Sequence, residues 1–389
     1  MIPALSEKKE DCCGCKACAN VCPRNAISFV PDQYGFEYPV IDPKKCVECG
    51  RCLQSCDFKK TKQEGIAMLD PLEGYAVQHA KEDICWKSTS GGMFTALAEW
   101  VIEKHGLVYG CVFNDEMKPI HDEADNMDKV ALMRGSKYAQ SDVGNIYYRV
   151  KEKLNEGKWT LFTGTPCQVA ALYAYLGKTD VQKLITADVV CHGIPSPLFF
   201  KEYIDYLSKK YHKKVNQFLF RSKRYGWGHI FIEVGFEGGK SKSWFGTADP
   251  YFAPFSWRNQ HMRPNCYHCK YTTGHRVSDF TFGDFWGWEK TGIGMSPSKG
   301  LGSCLINTEK AKNIFPQLHV NSIKVPVESI INGNEQLRTP SKMPDNWETT
   351  MESIAKNGFH NYAEQFRKAH TLAIINSFIK KIIWKKMCE

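Results

Sequence analysis

No run of about 18 apolar residues occurs in the 389-residue chain, so no transmembrane helix is expected. The opening stretch, MIPALSEKKEDCC, lacks the apolar core of a secretory signal. No lipidation motif is present either, so the expected compartment is the cytosol. Helix-turn-helix, zinc-finger and RNA-binding signatures are missing, which leaves nucleic acid without support as a partner despite a net charge of +9. A G-x-G-x-x-G fingerprint is also missing, so the usual Rossmann dinucleotide site is not signalled. What remains is ordinary globular composition, 43% hydrophobic and 24% charged, enough to bury a sizeable core. The length suits two or three domains of roughly 100–200 residues.

Cysteine is what the chain has in excess: seventeen, nine of them between Cys12 and Cys56. In an oxidising compartment this density reads as disulfides, and in a reducing one as metal. The nine contain two runs, Cys12-x2-Cys15-x2-Cys18-x3-Cys22 followed by Pro23, and Cys46-x2-Cys49-x2-Cys52-x3-Cys56. This is the spacing of a bacterial ferredoxin with two [4Fe–4S] clusters, in which the fourth cysteine of each run serves the other cluster. Cluster one is therefore expected on Cys12, Cys15, Cys18 and Cys56, and cluster two on Cys46, Cys49, Cys52 and Cys22. Three thiolates two residues apart lie on one tight loop around a cubane, and the fourth opens a short helix leading away. Gly14 and Gly50 give the backbone room to approach the inorganic sulfurs. Ala26–Val30 and Tyr38–Ile41 read as short strands about a turn at Gln33–Gly35. Zinc ribbons would show two C-x2-C pairs per site instead of four close cysteines per run. Asp57 stands where the second run would have its closing proline, which removes no ligand. Cys13 is an extra thiol, read as a spectator.

Residues 57–70 are charged and read as a linker. Ser88–Gly92 opens an amphipathic helix carrying Met93, Phe94, Leu97, Trp100 and Val101, stopped by Gly106. Leu107–Phe113 follows as a buried strand. Two further strand–loop–helix units are expected: Trp159–Thr163, Gly164–Pro166 and Cys167–Leu176, then Leu184–Val190, Cys191–Pro195 and Pro197–Tyr211. This alternation implies a parallel sheet with ligands at the carboxyl ends of its strands, where Cys167 and Cys191 share a crevice. Ile230–Phe236 alternates and runs into a turn at Glu237–Lys240, and Ser278–Trp286 reads as another strand.

Cys266-x2-Cys269 lies in a loop rich in Arg, Asn, His and Pro. With Cys167 and Cys191 it makes four thiolates. Three readings stand at this point: a third [4Fe–4S] cluster, a four-thiolate zinc site, and unlinked buried cysteines. Ser90, Gly91 and Gly92, like Gly164, Thr165 and Pro166, put small residues at a helix N-terminus, where free N–H groups and the helix dipole favour a phosphate. Ser and Gly are also ordinary capping residues.

Taken in order, Ser90–Gly92, Arg134–Tyr138, Gly164–Gln168, Cys191–Gly193, Cys266-x2-Cys269 and the Ser278–Gly287 stretch resemble the coenzyme F-420 hydrogenase/dehydrogenase beta-subunit family over about residues 70–310. Many of its members also carry an N-terminal two-cluster ferredoxin module. The resemblance implies FAD surrounded by Ser90, Gly91, Gly92, Ser136, Lys137, Tyr138, Gly164 and Thr165. It also implies an iron–sulfur cluster beside the FAD, which favours the third cluster on Cys167, Cys191, Cys266 and Cys269. The family includes deazaflavin-dependent hydrogenase and formate dehydrogenase subunits, a chlorophyll-pathway reductase and many bacterial members of unknown substrate, so no substrate carries over.

The expected fold is thus α+β or α/β: a ferredoxin-like two-cluster module over 1–62, then a mixed α/β flavin-binding domain whose first part spans 63–150 and second part 151–389. The expected function is an iron–sulfur flavoprotein oxidoreductase acting on a soluble substrate such as coenzyme F-420 or another organic compound. A relay subunit between a ferredoxin-type donor and a partner enzyme is the alternative, and a non-enzymatic iron–sulfur sensor a third reading. A flavin is the natural junction, because clusters move single electrons and hydride chemistry moves two. Expected partners are a soluble carrier, ferredoxin or deazaflavin, or a partner redox enzyme. Lys137 is the candidate for stabilising a reduced flavin anion, against a solvated or phosphate-bound lysine. His192 is the candidate proton carrier, against a packed histidine donating to a backbone carbonyl. Asp279 and Asp284 read as ribose ligands or turn caps. The basic run Lys209, Lys210, Lys213, Lys214, Arg221, Lys223 and Arg224 reads as a solvated face or a docking surface. Leu372, Ile375, Phe378, Ile379, Ile382 and Ile383, with Lys380, Lys381, Lys385 and Lys386 nearby, read as a helix packed on the body or lying on a membrane surface or partner.

Overall fold

The computed structural model describes residues 4–60, 65–372, 375 and 379. In the N-terminal module, β1 (Ile27–Pro31) and β2 (Glu37–Ile41) form an antiparallel hairpin, and one-turn helices lie at Ala17–Asn20 and Arg51–Gln54. The module's own core is small: Leu5, Cys18 and Cys52, with Ile27, Phe29 and Ile41 packed against them. So little buried apolar surface cannot hold about sixty residues by itself, and the module therefore depends on its thiol-bound groups and on docking to the body.

The body is built on eight strands: β3 (Glu73–His79), β4 (Leu107–Phe113), β5 (Pro119–Ala124), β6 (Thr160–Gly164), β7 (Leu184–Val189), and, after a side sheet, three more. The side sheet is β8 (Val215–Ser222), β9 (Phe231–Phe236) and β10 (Lys240–Phe245), all antiparallel. The last three are β11 (Phe280–Asp284), β12 (Gly302–Ile306) and β13 (Val320–Val325), giving the order β13-β3-β12-β11-β7-β6-β4-β5. β4, β6, β7 and β11 run parallel and form the centre, and the remaining strands add antiparallel flanks. The central strands are covered on both faces and so read as continuous apolar runs: Thr160–Thr163 and Leu184–Asp188 are buried throughout. Helices Met93–Glu103 and Pro166–Leu176 pack on this sheet with their apolar residues inward. Strands from both sides of residue 150 share the one sheet.

A second core joins the Pro197–Tyr211 helix, the side sheet and the Trp347–Ala369 helix, which is broken at Gly358. It is aromatic, with Phe199, Phe200, Tyr203, Phe220 and Tyr251 all buried. His261 lies inside it, fully buried, next to the rings of Phe199 and Tyr362, and neither ring nitrogen has a hydrogen-bond partner. Burial lowers its pKa to about 3. Its folded value lies below the unfolded one of about 6.5, so its contribution is complete above that pH and is lost as pH falls toward 3. The loss between pH 6.5 and 5 is about 2 kcal/mol at 1.36 kcal/mol per unit. His261→Phe is expected to shrink the drop in unfolding temperature between pH 7 and pH 5. The left-handed backbone at this position (φ 64°) costs the variant equally at every pH, so the pH slope is the readout.

Side chains far apart in sequence lock the module to the body. Arg263, with no exposed surface, reaches Cys12 and Glu37. Lys16 pairs with Glu37 at 2.7 Å and with Asp142 of the body at 2.8 Å. Tyr147 donates to the Cys15 carbonyl at 3.0 Å and Gln140 to that of Cys13 at 3.2 Å. Asp57, the residue in the proline's place, pairs with Lys270, accepts from Tyr271 and accepts the Ile66 N–H at 2.7 Å. The stretch read as a linker is therefore tied down at Asp57 and again where Leu69 bridges Arg276; residues 61–64 lie outside the described set.

The basic run divides. Arg221 is nearly buried against Asp284 at 2.8 Å. Lys223 is buried and donates to the carbonyls of Cys85, Ser90 and Lys299. Lys209, Lys213 and Lys214 face solvent. Of the C-terminal stripe, Phe378, Ile382, Ile383 and the four lysines lie outside the described residues, while Leu372, Ile375 and Ile379 are exposed. Among the described residues no helix is long and apolar enough to cross a membrane.

Candidate functional site

Three groups of cysteines and one cleft follow one another across the molecule. Cys22, Cys46, Cys49 and Cys52 line one small cavity of the module, rimmed by Arg24, Val47 and Arg51. Cys12, Cys15, Cys18 and Cys56 line a second, shared with Cys13 and with Cys167 of the body. Crossing the fourth cysteine of each run into the other group follows from the fold, because the helices Ala17–Asn20 and Arg51–Gln54 lie against each other and carry Cys22 and Cys56 past the opposite loop. Among the eight, Cys49 is the exposed one.

The third group comes from three elements of the body. Cys167 begins the helix after β6, Cys191 follows β7, and Cys266 and Cys269 belong to the short turn Pro264–His268 and its end. Cys191 is half-buried, and desolvation, then the Cys266, Cys167 and Cys269 thiols, push its pKa well up. Burial and the neighbouring thiols push Cys266 up to about 12 and Cys269 to about 11. Thiols that crowd in this way resist ionising together unless a cation takes them as ligands, which couples their chemistry to metal. Cys13 joins the second group to this one. Its thiol lies beside those of Cys15 and Cys167, which raises its own pKa and lowers theirs. The sequence offered one sign of this, two adjacent cysteines where the ferredoxin spacing needs one. Among the described residues no three His, Cys, Asp or Glu side chains converge on a single-ion site.

The cleft, about 290 Å³, opens at the carboxyl ends of β6, β7 and β11, the position such sheets offer a ligand. The candidates Ser90, Gly91, Gly92, Ser136, Lys137, Tyr138, Gly164, Thr165 and His192 all line it, together with Cys191. The structure therefore brings them to one place, with Cys191 of the third cysteine group in its wall; Cys167, expected to share this crevice, lines the module's inner cavity instead. Gly91 nests against the β3–β12 pair, where its carbonyl accepts the His79 N–H at 2.7 Å. Ser90 donates to the Leu301 carbonyl at 2.8 Å. Gly92, left-handed at φ 92°, starts the Met93–Glu103 helix, which has no side-chain cap. The other helix start differs: Thr165 and Gln168 form a reciprocal capping box, so its donors are partly used internally.

Lys137 is half-buried and its amine donates to the carbonyls of Met133, Arg134 and Gly135, closing the end of the Met127–Met133 helix. Burial lowers its pKa. His192 meets the Phe255 carbonyl through Nε2 at 3.3 Å and Gln336 through Nδ1 at 3.1 Å. Asp284 lines the cleft and holds Arg221 and the Trp227 indole, while Asp279 accepts from Thr186 and Thr308 and serves the sheet. His121 and Cys111, from β5 and β4, line the cleft without having been singled out in the sequence. His121 bonds to the Thr163 carbonyl at 3.0 Å, and burial lowers its pKa to about 4. The Cys191 and Cys266 segments are held by Arg276, wholly buried, which pairs with Asp188 of β7 at 2.8 Å and donates to the carbonyls of Tyr271 and Thr273.

Comparison with known proteins agrees with this division. A polyferredoxin-like protein of Methanocaldococcus jannaschii is 43% identical over 12% of this chain and 33% of its own length. Polyferredoxin protein MvhB of Methanothermus fervidus is 42% identical over 18% of this chain and 25% of its own. The chain thus spans a third or less of either polyferredoxin. A ferredoxin-like protein in the nif region of Sinorhizobium fredii is 41% identical over 13% of this chain and 80% of its own length. Among solved structures, the xenon-derivatised F420-reducing [NiFe] hydrogenase complex from Methanosarcina barkeri is 16% identical, with 80% of this chain and 96% of that chain covered at a TM-score of 0.45. Residues 11–60 match the 4Fe-4S dicluster domain, and residues 157–329 match the family model for the C terminus of the coenzyme F420 hydrogenase/dehydrogenase beta subunit. The chain thus joins a ferredoxin-type 4Fe-4S dicluster domain to a region that matches the C terminus of the coenzyme F420 hydrogenase/dehydrogenase beta subunit.

Proposed function

We propose that the chain is an iron–sulfur flavoprotein oxidoreductase that holds three [4Fe–4S] clusters and one FAD and acts on a soluble substrate, a deazaflavin such as coenzyme F420 or another organic compound. The observation that carries this reading is the position of the third cysteine group: Cys167 lines the module's inner cavity and Cys191 lines the cleft. Cys22, Cys46, Cys49 and Cys52 hold one cluster, Cys12, Cys15, Cys18 and Cys56 the second, and Cys167, Cys191, Cys266 and Cys269 the third. When bound, the clusters carry single electrons and the flavin exchanges one or two, which lets one-electron carriers meet hydride chemistry.

The residues of the cleft fit a dinucleotide. The helix starting at Met93 has no side-chain cap, so its N–H groups are suited to the phosphates. Gly91 and Gly92 let the loop lie tight against Val77 and His79 at the head of this helix. Lys137 holds the Ser136–Tyr138 loop through the carbonyls of Met133, Arg134 and Gly135, and His192 would carry a proton only by releasing its bond to Phe255 or Gln336. A soluble one-electron carrier or partner redox enzyme would meet the chain at the outer cavity, where Cys49 is exposed and Val47 is 58% exposed.

Cys266→Ala tests the third cluster. The variant is expected to lose about four of about twelve irons per chain while retaining FAD. Unchanged iron content and an unchanged visible spectrum would remove Cys266 from the ligand set.

A further inference from the structure

We infer that Arg263 is the buried counter-charge of the cluster on Cys12, Cys15, Cys18 and Cys56, and that it makes this inner cluster easier to reduce than the one on Cys22, Cys46, Cys49 and Cys52. The inference rests on the ligand sets given above and adds a direction: electrons arriving at the exposed Cys49 end settle inward.

Arg263 has no exposed surface. Its Nε donates to the Cys12 carbonyl at 2.6 Å, Nη1 to Gln140 Oε1 at 3.1 Å, and Nη2 to the Glu37 carbonyl at 2.8 Å and to Cys12 Sγ at 3.6 Å. The rings of Tyr38 and Phe36 lie 4.4 and 5.7 Å from the guanidinium. None of these acceptors is a carboxylate. A buried guanidinium needs an anion, and among the atoms it donates to the one that becomes anionic is Cys12 Sγ as a cluster ligand, with Cys266 of the third group acting on it without a direct bond. Other cations near the inner group are already matched: Lys16 by Glu37 and Asp142, Lys270 by Asp57. The cations around the outer group, Arg24, Lys44, Lys45 and Arg51, all face solvent, where water and salt screen them.

One added electron makes a four-thiolate cluster more negative. A fixed cation in a dry site, with an N–H on a ligand sulfur, stabilises that extra charge and raises the potential. The placement is built in from both sides. Gly14 is left-handed, and a Cβ there would stand 2.8 Å from Arg263 Nη1. On the body side, the Arg263 N–H binds the Ile194 carbonyl at 2.9 Å, and its own carbonyl accepts the Cys266 N–H at 2.9 Å. A residue that only tied module to body would affect stability and leave the two potentials in their order.

The test is a redox titration followed by electron paramagnetic resonance on anaerobically purified full-length protein, wild type, Arg263→Gln and Arg263→Lys. Cys49→Ser identifies the outer cluster's signal. In the wild type the inner cluster is reduced first. Arg263→Gln lowers its midpoint to or below that of the outer cluster, whose midpoint stays put, and Arg263→Lys, which keeps the charge but loses the fork, gives a smaller fall. If Arg263→Gln fails to hold the cluster, Arg263→Lys alone decides. A midpoint unmoved in the variants that keep the cluster, or both midpoints falling together, overturns the inference. A wild-type protein without a signal from the Cys12 group overturns the ligand assignment beneath it as well.

Discussion

Asp188→Ala is expected to destabilise the body by about 3–5 kcal/mol, the cost of stranding a buried charge. Asp188 has no exposed surface and Arg276 about 1%. Removing the carboxylate leaves a guanidinium in the sheet's interior, held by the Tyr271 and Thr273 carbonyls and Thr281 Oγ1. Asp188 lies three residues before Cys191, and Arg276 seven after Cys269, so the third cysteine group loosens with the pair. Anaerobic urea unfolding should show the lowered midpoint, with iron lost first from that group. The double variant Asp188→Ala/Arg276→Leu should recover part of the loss, because it no longer strands a charge. A single variant within about 0.5 kcal/mol of wild type, the range of ordinary surface substitutions, would contradict this account of the pair.

Gly91→Ala should be nearly as damaging at the cleft. A Cβ at this position would press into the Val77 carbonyl oxygen and stand 2.8 Å from the Gly302 amide nitrogen. Both are backbone atoms of paired strands, β3 and β12, which cannot rotate aside as a side chain could. Overpacking of this kind costs about 1–3 kcal/mol, and at about 1.4 kcal/mol per decade the displaced loop should weaken FAD binding roughly tenfold or more. Gly294→Ala meets no atom within 4 Å and serves as the control. Equal FAD affinity in the two variants would mean that the Ser90–Gly92 loop does not shape the flavin site.

Much of the architecture was legible from pattern. Leu107–Phe113 and Pro197–Tyr211 form over the residues that the sequence marks. Each is an uninterrupted apolar or amphipathic stretch between clear breakers, the helix preceded by Ser196, whose side chain accepts the Phe199 N–H. The antiparallel flank was not read. The pairing of β3 with β12 and β13 joins residues more than two hundred positions apart, which leaves no local period to detect. The cleft's loops were legible because small residues follow strands at regular intervals. Its wall was harder: Cys111 lies on a strand that read as plain core and His121 on β5, which was not read as a strand, and Lys223 and Arg221 looked like part of a solvated run until the fold turned them inward. Arg263 was equally hidden, since its meaning depends on Cys12, 251 positions away.

The most direct measurement is the iron, acid-labile sulfide and flavin content of full-length protein purified without oxygen. About twelve irons, matching sulfide and one FAD per chain are expected, four irons for each cysteine group. A colourless preparation that carries zinc in place of iron and releases no flavin would contradict the account.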